Sequence, residues 1–167
     1  MERTSYNIQD WYWQVGSDTS KVFSSARMRY VTVSDSTYTQ WLSDGNQPTN
    51  ISSPQDLYNV LVQQWVPPYL VAGIQVNSTG SPGLNGTYSM DPQTQGQITG
   101  IATSITAGRG LPGGGSTFIF QLHMFNQTQF LNFAAAAESY VYALYQALGQ
   151  IILTGTGSLP AQPVIMP

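Results

Sequence analysis

Apolar and polar positions alternate along the first part of the chain. Trp11-Tyr12-Trp13-Gln14-Val15 is aromatic and β-branched, Gly16-Ser17-Asp18-Thr19 supplies turn chemistry, and Lys21-Val22-Phe23-Ser24 follows as the returning arm of a hairpin. Arg29-Tyr30-Val31-Thr32-Val33 predicts a third strand, with Tyr30 and Thr32 on one face and Val31 and Val33 on the other. The period then becomes helical. Tyr38, Trp41 and Leu42 share a face behind Asp35, a residue suited to cap orphan amides, and Gly45 suits the left-handed position beyond the end. Ser53-Pro54-Gln55-Asp56 signals a second helix with the stripe Leu57, Leu61, Trp65, which Pro67-Pro68 is predicted to stop.

Beyond that proline pair the pattern predicts a strand over 70–76, a turn over 81–86 and a returning strand over 87–90. Asp91-Pro92 opens a helix with the face Ile98, Ile101, Ala102 and Ile105, ended by Gly108. After a Gly-rich connector, 117–121 reads as a strand. Asn126 then caps a long helix faced by Phe130, Phe133, Ala134, Ala137, Val141, Leu144 and Leu148. Gly155, Gly157, Pro160 and Pro163 predict an extended tail. The expected fold class is therefore α+β: a small N-terminal β-meander with two helices over 1–66, a ββα-ββα-like module over 69–153, and an extended C-terminal tail over 154–167.

Composition narrows the function classes. Hydrophobic residues make up 41% of the 167 residues, but charged residues only 8%, against roughly 25% in a typical soluble domain. Five Lys+Arg, four of them before Tyr30, cannot displace counterions along phosphates, so no nucleic-acid partner is expected. There is no cysteine, hence no thiol nucleophile or disulfide framework. The long C-terminal helix carries Asn132, Glu138, Gln146 and Gln150, which argues against membrane insertion. The opening Met1-Glu2-Arg3-Thr4-Ser5 has no apolar export run, which suits synthesis in a cytoplasm.

Candidate chemistry is sparse. Gly108-Arg109-Gly110-Leu111-Pro112-Gly113 spells G-x-G-x-x-G, but it follows a helix and precedes a strand, the reverse of a dinucleotide site. His123 is the only imidazole and has no nucleophile elbow beside it, while Asp35 and Asp91 read as helix caps. No catalytic, cofactor-binding or metal-ligating residue is assigned, and no enzyme activity or cofactor is expected. Trp11 and Trp13 share a strand face and could either fill a core or stack on a sugar. Gln63, Gln64, Gln93, Gln95, Gln97, Gln127 and Gln129 stand where charged residues are usual. Neutral amides enter a protein interface without the desolvation cost of an unpaired ion. That composition fits a permanent assembly subunit. Leu159, Val164 and Ile165 in the tail could reach a neighbour, or simply fray.

Two stretches carry a resemblance. Trp11-Tyr12-Trp13, Val22-Phe23-Ser24-Ser25-Ala26-Arg27, Tyr30-Val31, Asp35, Tyr38, Trp41-Leu42, Gly45 and Pro48-Thr49 resemble the N-terminal module of small tail proteins of tailed bacteriophages. Leu84-Asn85-Gly86-Thr87-Tyr88, Asp91, the 108–114 loop, Phe118, His123, Phe125, Phe130 and Tyr140-Val141 are similar to a domain of unknown function on phage tail-fibre and tail-associated proteins. The chain departs at Gln121-Leu122, where that family usually shows Asp and Gly. The resemblance implies a virion protein assembled in the host cytoplasm, in the tail or its fibre attachment near host contact. Its partners would be copies of itself and other virion proteins. A head decoration or cement protein, a non-virion fibre assembly chaperone, and a module binding host-surface polysaccharide through Trp11 and Trp13 are the alternatives.

Overall fold

The structure, a computed structural model, describes residues 7–167; the opening stretch Met1–Ser5, expected to hold no apolar export run, lies outside the described residues. The fold is α+β. Its contacts divide it into two units: Met1–Val66 with Leu144–Leu159, and Pro67–Ala143 with Pro160–Pro167. Pro67 is the first residue of the second unit, and residues 144–153 group with the first. The third segment expected over 154–167 is instead split, its first residues grouping with the first unit and its last eight with the second.

In the first unit, β1 (Tyr12–Val15), β2 (Lys21–Ser24) and β3 (Arg29–Thr32) form the antiparallel meander read from alternation, with Trp13 opposite Phe23 and Val22 opposite Val31. A fourth strand, β4 (Thr49–Ile51), lies parallel to β1 and completes the order β3-β2-β1-β4. Its three residues Thr-Asn-Ile carry no alternation to announce them. One sheet face gathers Tyr12, Val22 and Val31 against Tyr38 and Trp41 of α1 (Ser36–Ser43). Trp13 and Phe23 are buried as fully. The carboxylate of Asp35 accepts from the amides of Thr37 and Tyr38 and so starts α1. Ser53 does the same for α2 (Pro54–Gln64), which buries Leu57 and Leu61.

The proline pair does not end helical structure. After α2, a new helix α3 (Val66–Ala72) holds Pro67 and Pro68 in its first turn, where a missing N–H would have had no intrahelical partner. The strand expected over 70–76 accordingly starts later, as β5 (Ile74–Ser78). Gly73 makes the reversal at φ +96°, where an added Cβ would stand 2.8 Å from the carbonyl oxygen of Tyr88. β6 (Gly86–Tyr88) pairs antiparallel with β5, and α4 (Pro92–Thr106) follows the Asp91 cap. The hairpin β7 (Thr117–Phe120) and β8 (His123–Asn126) comes next, and then α5 (Gln127–Thr154). This is the ββα-ββα order. Asn126 and Gln129 cap α5 reciprocally, each backbone amide donating to the other's side-chain oxygen at 2.9 Å.

The tail is the clearest correction. Val164–Met166 is a strand, β9, parallel to β5, and Met166 is fully buried. Apolar, partly β-branched residues offered to an open strand edge gain both ladder hydrogen bonds and burial, so the segment packs rather than extends. The unit's core is aromatic: the rings of Tyr88, Phe125, Phe130 and Phe133 lie within 4.6 to 6.2 Å of their neighbours.

Candidate assembly surface

The five residues singled out for interaction do not form one site. Trp13 is 1% exposed and belongs to the core, so it offers no stacking face; β1 is covered on both sides, which alternation in one strand could not reveal. Trp11 is half-buried, its indole N–H donating to Thr49 Oγ1 at 2.9 Å and its ring meeting Trp41 edge-on at 5.0 Å. Leu159 and Val164 are half-buried, while Ile165 is 60% exposed on β9. A paired platform of Trp11 and Trp13 is therefore ruled out by burial.

The polar groups weighed for chemistry are occupied structurally. Asp91 accepts from the Thr94 amide, the Thr94 hydroxyl and the Ser89 hydroxyl, each at 2.9 Å. These bonds, the Thr94 amide first, hold its carboxyl below the ordinary 3.8 and keep it an ionised cap. His123 sets Nδ1 3.1 Å from the carbonyl of Gly83 and lays its ring against Gly86 and 4.8 Å from Tyr88. A Cβ at position 86 would stand 2.7 Å from Nε2, so the glycine makes room for the imidazole. The 108–114 loop turns on left-handed Gly108, Gly110, Gly113 and Gly114 between α4 and β7 and is pinned by buried Leu111. Among the described residues no group of three or more His, Cys, Asp or Glu could hold a metal, and no helix is long and apolar enough to cross a membrane.

What the second unit does present is an apolar hairpin. Phe120 and Phe125 turn inward. On the opposite face Ile119 and Met124 are register partners at 67% and 60% exposure, and Leu122 at the tip is 97% exposed. Gln121 and Leu122 are the two-residue loop, both left-handed at φ 46° and 68°, the pattern of a type I′ turn. The Gln121 side chain anchors that turn, accepting from the Ser89 amide at 2.9 Å and donating to the Ser89 carbonyl at 3.1 Å. Sequence reading missed this face, although Ile119 and Met124 alternate with the inward phenylalanines and so carry the signal. Of the seven glutamines, Gln95 and Gln129 serve the fold: Gln95 donates to Met90, and Gln129 caps α5 and donates to Ser81. Gln63, Gln64, Gln93, Gln97 and Gln127 are exposed.

No protein-family model, curated protein or solved structure matches the chain.

Proposed function

We propose that this chain is a structural subunit of a tailed-bacteriophage particle, in the tail or its fibre attachment, working through protein–protein assembly. The observation that carries assembly is the outer face of the β7–β8 hairpin: Ile119, Leu122 and Met124 stand exposed together in a unit almost without ionised side chains. A contiguous apolar face in water is a standing cost that a partner removes, and amides around it can follow into the interface without leaving an unpaired ion. The assignment to a phage is supported by the resemblance of the two motif stretches alone.

The reading is tested in two steps. Mass spectrometry of purified particles should find the chain in mature virions and in tail fractions; absence from mature particles would overturn it. The double variant Ile119→Lys, Met124→Lys changes only exposed side chains, so the melting temperature should stay close to that of the parent, within about 0.5 kcal/mol of stability. Its incorporation into particles should fall at least about tenfold, each buried unpaired ammonium costing several kcal/mol. Normal incorporation would remove the hairpin from the interface.

A further inference from the structure

The C-terminal segment sits in a seat built from residues 69–79 and Tyr140. Gln162 accepts the Gln75 amide on Oε1 at 2.9 Å, and its Nε2 donates to the hydroxyls of Tyr140 and Tyr69 at 2.8 and 3.1 Å. β9 pairs with β5 from Val76–Val164 to Ser78–Met166, and the Thr79 amide donates to the Met166 carbonyl at 2.9 Å. Met166 fills the hole beneath. Without this plug, the β5 edge would stand unpaired above an empty core position. Some chain must fill the seat, but nothing in its contacts says which chain.

The connection leaves that choice open. Residues 155–163 form neither helix nor strand, and Gly155 and Gly157 are both left-handed. Extended, these nine residues reach about 30 Å, about the diameter of a small domain. Residues 144–159 group with the first unit, so β9 belongs to the second only by its own contacts. No ionised side chain follows Glu138, so no side-chain charge opposes bringing two such segments together. Pro163 and Pro167 flank β9 and blunt its outer edge, which directs its pairing to β5.

We propose that β9 is exchanged between neighbouring copies, residues 162–166 of one chain completing the β5 edge of the next. The contacts of residues 162–166 with the seat are the same in the closed and exchanged forms, so proximity within an assembly decides between them. The proposal rests on the assembly reading for what brings copies within reach.

The chain has no cysteine, which permits a clean test. Asn77 and Ile165 are register partners and both are exposed. The full-length single variants Asn77→Cys and Ile165→Cys, carrying different tags, are co-expressed, purified and oxidised beside the double variant. The double variant should form a disulfide, showing that the pair is within bonding reach. The co-expressed singles should give a covalent mixed dimer about tenfold over like-with-like dimers, because only exchange raises the effective concentration of the unlike pair. A double variant that closes within one chain, with no excess of mixed dimer from the singles, overturns exchange. A double variant that forms no disulfide overturns the β5–β9 pairing on which exchange depends. Either result leaves the assembly reading to its own test by particle composition.

Discussion

The carboxylate of Asp35 serves two partners at once. It accepts the amides of Thr37 and Tyr38 at the start of α1, and it accepts from both terminal nitrogens of Arg27 at 2.8 and 2.9 Å. Arg27 also donates to the Tyr12 hydroxyl at 3.1 Å, joining helix start and sheet. The guanidinium first, then the Tyr38 amide, hold the Asp35 carboxyl at about 2 instead of 3.8. A group whose folded value is depressed binds more protons unfolded, so its contribution is complete above the unfolded value and disappears as pH falls through the folded one. Asp35→Asn keeps a capping side chain but deletes the charge. The variant should melt below the parent at neutral pH, and the two melting curves should converge between about pH 4 and pH 2. A gap that persists unchanged at pH 2 would show that the ion pair is not what Asp35 contributes.

Among elements, the β7–β8 turn shows how far the sequence could be read. Asp-Gly would suit a type I′ turn, whereas Gln121 and Leu122 adopt the same left-handed geometry at a steric cost. Leu122 buries nothing, so Leu122→Gly should relieve that cost and raise stability by roughly 0.5–1 kcal/mol after glycine's own entropy penalty. Gln121→Gly should gain less, because it also loses both bonds to Ser89; equilibrium urea unfolding of the two variants gives the comparison. The meander, α1, α2, α4 and α5 were legible because capping residues and apolar periods there agree. β4 and β9 were not: three-residue strands have too little alternation to stand out, and what places them is an edge supplied by β1 and β5. Pro67-Pro68 misled for a related reason, since the same letters stop a helix from inside and start one from its first turn. Trp11 and Trp13 showed their direction in the strand but not that the second sheet face was covered too.

For the whole molecule, the distribution of charge separates two kinds of surface. After Leu57 the only ionised side chains are Asp91, Arg109 and Glu138, and Asp91 is engaged in its cap. The first unit, by contrast, carries exposed Lys21, Arg29, Asp44 and Asp56. Copies joined through the second unit would bury apolar hairpin face and strand edge with almost no charge between them. Raising sodium chloride from about 0.1 to about 1 M shortens the Debye length from about 10 to about 3 Å and dissolves interfaces held by exposed ion pairs. An interface through the second unit should keep its affinity across that range. Sulfate should strengthen it, because an ion excluded from protein surface favours apolar burial. Sedimentation of the purified chain in the two salts reads this directly. Dissociation by sodium chloride would move the interface to the charged first unit and away from the hairpin.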